Sequence, residues 1–212
     1  MCDVWAFFSS VLLILLYYWR LRKKNRIAPL SCVHNVNAQN REQWVLMIMQ
    51  NGKQDILAIQ TLRNSLMAAS FMATTVMLLI SAILNLGEKI GHWATSLQPV
   101  LWCCADSNEL WQIKLGVLLL SFAIAFYFFA MSIRFFNHVG YMINLPYQQE
   151  TNETLYRQTC AYLNKAGRYY TLGTRTFFFG LPIIAWFFDP ILLVLGTIGL
   201  MVGLKALDTV PN

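Results

Sequence analysis

Arginines with amide or imidazole neighbours are the side chains of this sequence best suited to bind a ligand. Arg63 is followed directly by Asn64, close to the start of a long apolar segment. Arg134 and His138 lie four residues apart, and therefore on one face of a helix. A guanidinium recognises carboxylate and phosphate groups through paired hydrogen bonds. Such side chains together predict a cationic site for a phosphate or a lipid headgroup, formed by Arg63, Asn64, Arg134, Asn137, His138, Arg168 and Arg175.

Each arginine could instead extend separately to the membrane surface and stabilise the topology of the chain. Arg175 favours a shared site, because it lies deepest in an apolar segment. A charge at the centre of a membrane costs about 2.5 kcal/mol or more unless it finds a partner or reaches the surface. The nearby acids are all in polar stretches: Asp55, Glu150 and Glu153. Both interpretations stay open at this point.

Histidines and cysteines form no pattern typical of a catalytic or metal site. His138 could relay protons or bind haem, but no second histidine lies at its level, which favours a hydrogen-bonded structural role. Cys103 and Cys104 are adjacent, with Cα atoms about 3.8 Å apart, below the usual disulfide range. Either could pair with Cys2 in an oxidising compartment, and unpaired thiols are the other interpretation. The sequence predicts no catalytic residue, no metal ligand and no cofactor.

Apolar segments long enough to cross a membrane must position these side chains. Hydrophobic residues make up 57% of the 212-residue chain and charged residues 12%, about half the charge of a soluble domain. The sequence predicts an all-α integral membrane helical bundle in a single domain, residues 1–212. About five transmembrane helices are expected, at approximately 4–19, 65–86, 115–137, 171–188 and 190–207. Four spans with a re-entrant C-terminal segment are the alternative.

Local signals predict where the helices begin and end. The basic cluster at 20–26 is expected to end the first helix, and 27–40 is expected to form a loop. Amphipathic helices are predicted at 41–49, on the membrane surface, and at 150–165. They count as one or two interfacial helices beside the spans.

The second half of the chain carries two further boundary signals. Residues 55–86 contain no Pro or Gly and predict one long helix, whereas 87–111 predict a loop on the outer side. Asp189 and Pro190 fit the N-cap and the first residue of the last helix.

The basic residues indicate how the chain lies in the membrane. With the N-terminus outside, fourteen of the sixteen lysines and arginines lie on the inner side, and only Lys89 and Lys114 lie outside. We therefore expect an outer N-terminus and a cytoplasmic C-terminus, in a bacterial inner membrane. This topology explains the net charge of +6 without a nucleic-acid partner.

Small residues recur at helical spacing on two of the predicted spans. They allow helices to approach closely, within one bundle or between chains of a homo-oligomer. The predicted packing faces are Ser65, Ala69 and Ala73 on the second span, and Gly196, Gly199 and Gly203 on the last.

Three stretches, in this order and spacing, resemble a known family. They are WVLMIM with LAIQTLRNSLMAASFMATT, then SIRFFNHVGYMINLP, then GTRTFFFGLPIIAWFFDP. Together they are similar to the membrane family of bacteria and plants known as domain of unknown function 599, over roughly residues 17–208. The resemblance implies a multi-pass membrane protein and implies no activity.

Three functions agree with these features. The first is a noncatalytic membrane component or accessory subunit that binds anionic lipid or a partner chain, in a homo-oligomer or a larger membrane complex. The alternative is a small transporter or channel for an anionic solute. The third is a membrane redox enzyme, which the lack of an acid–base pair in the membrane disfavours.

Overall fold

The computed structural model describes residues 2–27, 33–50, 55–87, 108–145 and 153–208, which form six α-helices and contain no strand. The prediction of an all-α fold is confirmed. The helices are α1 (Cys2–Ile27), α2 (Val33–Gln50), α3 (Asp55–Gly87), α4 (Asn108–Met142), α5 (Glu153–Ala185) and α6 (Pro190–Asp208).

Among the described residues, three helices are long and apolar enough to cross a membrane. These stretches are Asp3–Leu21, Ile56–Gly87 and Glu109–Met142, and the apolar helix Pro190–Ala206 is shorter. At about 1.5 Å per residue, α3 and α4 are each longer than a hydrocarbon core of about 30 Å. The count of five spans stays a prediction.

The N-terminal half is more helical than its sequence predicted. Helix α1 continues through the basic cluster to Ile27, because Lys and Arg are good helix formers. The expected loop at 27–40 is also wrong from Val33 onward, where α2 begins. Its polar first half has little helix propensity of its own, so the packing of its second half stabilises the helix.

Two boundaries in the second half also differ from expectation. Helix α4 begins at Asn108, so the predicted loop at 87–111 is wrong in its last residues. From Glu153 to Ala185, the predicted amphipathic helix at 150–165 and the following span are one continuous helix, α5, and residues 150–152 lie outside the described residues. Gly167 and Gly173 lie inside α5 without breaking it, since each faces a side chain of a neighbouring helix.

Two other boundary predictions are confirmed. Helix α3 is continuous from Asp55 to Gly87. Asp189 caps α6: its Oδ1 accepts a hydrogen bond from the backbone N–H of Ile191 at 2.7 Å, and its carbonyl accepts one from Leu192 at 3.1 Å.

The described residues group into two compact units. The first unit draws on Met1–Val33, Val76–Ile124 and Arg175–Asn212. Helices α1 and α6 pack together in it. Its core contains Ala6, Trp186 and Leu193, and the ring of Phe7 stacks on Trp186 with a centroid distance of 5.4 Å.

The second unit draws on His34–Thr75 and Ala125–Thr174. Its core joins α2, α3, α4 and α5. In α2, Val45, Ile48 and Met49 are buried and Met47 is exposed, so one face of this helix packs into the core. A buried hydrogen bond from Ser132 Oγ to the carbonyl of Ala166, 2.9 Å long, ties α4 to α5. The complete core is Val45, Ile48, Met49, Ala58, Leu62, Phe136, Val139, Ile143, Cys160, Leu163 and Ala166.

Candidate functional site

A cavity of about 500 Å³ opens in the second unit between its four helices. Asparagines and an arginine of α2 form one wall, and hydroxyl groups of α3 and α5 form the others. We call it the Arg41 cavity. It is lined by Asn37, Asn40, Arg41, Trp44, Thr61, Leu62, Ser65, Ala68, Phe136, Leu163, Gly167, Tyr170 and Thr171.

Arg41 is held in this cavity from one side only. Its Nε donates a 2.9 Å hydrogen bond to Oδ1 of Asn164 on α5. Nδ2 of Asn164 donates in turn to Oε1 of Glu42, also at 2.9 Å. This chain of bonds fixes the plane of the guanidinium and also fixes which way the Asn164 amide faces.

The two terminal nitrogens of Arg41 have no hydrogen bond or ion pair within the described residues. Burial lowers the pKa of this guanidinium, and the carboxylate of Glu42 opposes the effect. Arginine titrates so far above neutral pH that the group stays charged. A half-buried cation with unused donors therefore faces an open cavity.

Gly167 leaves room for this guanidinium. A methyl group at Gly167 would lie 2.9 Å from Nη1 of Arg41 and 3.1 Å from its Cζ. Real Cβ contacts are essentially never that short. The glycine thus allows the arginine to lie flat against α5.

The residues that the sequence singled out lie elsewhere on the second unit. All six of its predicted site residues have exposed side chains, and none lines the Arg41 cavity. The ring of His138 lies 5.8 Å from that of Tyr162. These six are Arg63, Asn64, Arg134, Asn137, His138 and Arg168. Their joint role in binding an anion stays a prediction.

Arg175 belongs to the first unit and has a partner that the sequence reasoning missed. It forms an ion pair with Oδ1 of Asp208 at the end of α6, and both side chains are 14% exposed. The hydroxyl of Tyr17 donates to Oδ2 of the same carboxylate at 2.6 Å. The deepest arginine is thereby neutralised by the last acid of the sequence.

A second buried ion pair lies in the first unit. Lys114 Nζ lies 2.9 Å from Oδ1 of Asp3, and the two side chains are 2% and 7% exposed. The indole N–H of Trp186 donates to the same oxygen at 2.9 Å, and the ammonium lies 5.3 Å from the centre of the Trp186 ring. Two helices, α1 and α4, and the turn after α5 meet at this cluster. From the sequence, Lys114 is predicted only as a charge on the outer side, and Asp3 has no predicted role.

The residues of the two predicted packing faces differ in how closely they pack within the chain. Ala69 and Ala73 are buried, and Ser65 lines the Arg41 cavity. A methyl group at Gly196 would contact Pro182 at 3.4 Å, so this glycine packs within the chain. A methyl group at Gly199 or Gly203 would have no neighbour within 4 Å among the described residues.

The described residues contain no group of three or more His, Cys, Asp or Glu side chains arranged to hold a metal ion. Cys160 is a buried free thiol, and burial raises its pKa. Cys103 and Cys104, and the side chain of Cys2, lie outside the described residues, and so does their predicted pairing.

A recognisable pattern marked the Arg41 cavity in the sequence. Asn37, Asn40, Arg41 and Trp44 follow one another at helical spacing and form a polar face. This face is missed from the sequence because a loop is predicted at 27–40, which contains Asn37 and Asn40, and a helix only from Arg41. Asn164 and Gly167 carry no such signal, since their role comes from the packing of α5 on α2.

In the part of the chain that the structure describes, the fold is all-helical and has three helices long and apolar enough to cross a membrane. The chain belongs to the family described as "Protein of unknown function, DUF599", whose model matches residues 5–212. The resemblance found in the sequence is thus confirmed. No curated protein and no solved structure matches the chain.

Proposed function

We propose that this protein is a multi-pass membrane component without a reaction of its own, and that it binds an anionic lipid headgroup in the Arg41 cavity. One observation carries the proposal. A charged guanidinium lines a cavity of about 500 Å³ while its terminal nitrogens have no partner within the described residues.

The energetics favour an anion at this position. A half-buried cation has already lost part of its hydration. An anion that binds it therefore has to displace less water than it would from a fully exposed cation. Hydrogen bonds to a charged group contribute about 1.5–3 kcal/mol. A phosphate can accept two parallel N–H bonds from the free edge of a guanidinium.

The predicted topology supports a location at the cytoplasmic surface. With the N-terminus outside, the beginning of α3, the end of α4 and the first half of α5 all lie on the inner side. These parts line the cavity. The exposed cations Arg63, Arg134 and Arg168 lie on the same unit. Each would attract anionic lipid to that surface by about 1 kcal/mol.

Native mass spectrometry of the full-length protein with defined lipids tests the proposal. The wild-type protein should retain dioleoylphosphatidylglycerol in preference to dioleoylphosphatidylcholine. Arg41→Gln should lower the retained anionic lipid by about tenfold or more, because it removes a charge-assisted hydrogen bond.

Arg157→Gln is the matched control. It removes one arginine from the same unit, where Arg157 is exposed and pairs with Glu153 four residues away. This variant should bind like wild type. Equal binding by the Arg41 variant, or equal retention of both lipids by the wild-type protein, contradicts the proposed function.

A further inference from the structure

Three of the four hydroxyl side chains that line the Arg41 cavity have already used their hydrogen atoms, and the fourth is the phenol of Tyr170. Thr61, Ser65 and Thr171 each donate to the backbone carbonyl four residues earlier, at 2.9, 3.1 and 2.9 Å respectively. A hydroxyl has one hydrogen and two lone pairs. These three oxygens therefore offer only acceptors to a ligand in the cavity.

A ligand that binds to these hydrogen-bond acceptors must carry hydrogen-bond donors. An ammonium group, such as that of ethanolamine, supplies donors but carries a positive charge. The described residues that line the cavity include one guanidinium and no acid, so they disfavour a second cation. Alcohol groups supply the same donors without that charge.

We propose that the headgroup bound in the Arg41 cavity is a phosphate diester that carries a hydroxylated alcohol. Arg41 holds the phosphate, and the oxygens of Thr61, Ser65 and Thr171 accept hydrogen bonds from the alcohol groups. This inference rests on the proposed function and names the chemistry of its ligand.

The walls also explain why the ligand is a lipid. Beside its polar groups the cavity is lined by Leu62, Ala68, Phe136 and Leu163, so much of its surface is apolar. A free polyol phosphate would leave these side chains uncovered. A phospholipid covers them with its glycerol backbone and the first atoms of its chains.

A comparison of two lipids of equal charge distinguishes the proposal of a hydroxylated headgroup from the more general proposal of an anionic-lipid site. Phosphatidylglycerol and phosphatidylpropanol are both phosphate diesters with a three-carbon headgroup, and only phosphatidylglycerol has headgroup hydroxyls. Both are presented as dioleoyl lipids to the full-length protein, and the retained ratio is measured by native mass spectrometry. We expect phosphatidylglycerol to be retained about fivefold more strongly.

Variants that remove an acceptor should reduce this preference. Thr171→Val and Ser65→Ala should each bring the ratio of the two lipids close to one and leave phosphatidylpropanol binding nearly unchanged. Thr74→Val is the control, because Thr74 makes the same backbone hydrogen bond to Ser70 and lies outside the cavity. It should keep the wild-type ratio.

The outcomes are distinct. If both lipids bind equally and Arg41→Gln weakens both, the proposed function stands and the hydroxylated headgroup is wrong. If neither lipid depends on Arg41, the proposed function itself fails. Displacement of phosphatidylglycerol by millimolar glycerol 3-phosphate would assign the same chemistry to a soluble ligand and overturn the choice of a lipid.

Discussion

The guanidinium of Arg41 gains its orientation from residues that do not touch the space it faces. Asn164 can accept from Arg41 only because its amide is turned by the carboxylate of Glu42. A short polar chain therefore runs from an exposed acid to a half-buried cation. Arginine keeps several donors after one is used, and the planar group presents the unused donors along a fixed edge.

A methyl group at Gly167 should displace this guanidinium. Gly167→Ala places a Cβ 2.9 Å from Nη1, and the end of the arginine side chain must move. We expect anionic lipid binding to fall by threefold to tenfold with the fold retained. Lipid retention and the thermal unfolding midpoint would be measured together.

Gly140→Ala is the control, because nothing lies within 4 Å of the added methyl group on α4. Replacing a helical glycine by alanine stabilises a helix by up to about 1 kcal/mol. The control should therefore bind lipid normally and unfold at a slightly higher temperature. Normal binding by the Gly167 variant would show that the position of the guanidinium does not matter.

The candidate site could be predicted from the sequence only in part. The polar face with Arg41 is divided by the predictions, because Asn37 and Asn40 fall in the predicted loop at 27–40 and Arg41 begins the predicted helix at 41–49. Arg63, Arg134 and Arg168 stood out because they border apolar segments, and the structure leaves all three exposed. A contact such as Arg41 with Gly167 depends on the packing of two helices far apart in sequence, which no local pattern reveals.

At the scale of the helices, local chemistry predicted ends best where a side chain caps the backbone. Asp189 satisfies the first N–H groups of α6, and this cap was predicted from the Asp-Pro pair. The predicted C-terminal end of α1 and the predicted beginning of α2 are wrong, because no single capping residue defines either of them. Continuous α5 shows the same effect, since buried side chains of its polar half pack into a core.

Removal of the cap on α6 should destabilise the protein measurably. Asp189→Ala leaves the N–H of Ile191 without its carboxylate acceptor, at a cost of about 1 kcal/mol. Asp189→Asn keeps an acceptor oxygen and should lose much less. Thermal unfolding in one detergent would rank wild type above Asn and Asn above Ala. An Ala variant as stable as wild type would contradict the cap's contribution.

The buried pair of Asp3 and Lys114 should be costly to break from one side. Lys114→Met leaves a carboxylate that is 7% exposed with the indole of Trp186 as its remaining partner in the cluster. Such a change costs about 3–5 kcal/mol. We expect poor expression of the folded protein and a large fall in its unfolding midpoint.

The double variant Asp3→Asn with Lys114→Met distinguishes charge from packing. It removes both charges and keeps an oxygen that can accept from Trp186, so most of the lost stability should return. Equal instability of the single and double variants would mean that the packing of the lysine side chain, rather than the unpaired charge, is what matters at this cluster.

At the scale of the whole molecule, one ion pair and two hydrogen bonds tie the N-terminal helix to later parts of the first unit. Asp3 near the start of α1 pairs with Lys114 and accepts from Trp186, and Tyr17, past the middle of the helix, donates to Asp208. Helix α1 is therefore held at two levels by residues that are synthesised much later. Its many exposed apolar side chains suit the hydrocarbon of a membrane, which agrees with the proposed location.

The open glycine face of α6 gives the last prediction, that of a homo-oligomer. A methyl group added at Gly199 or Gly203 would have no neighbour within 4 Å among the described residues, and the neighbouring Ile198 and Val202 are exposed. A helix of a second copy could approach such a surface closely and make van der Waals contacts that lipid tails make less well.

We expect native mass spectrometry from nanodiscs to detect an oligomer of the wild-type protein. Gly199→Ile with Gly203→Ile should convert it to a monomer without loss of fold. Gly116→Ile is the control, because its site is equally open but lies on α4. A wild-type monomer, or an oligomer that survives the double substitution, would show that this face packs against lipid.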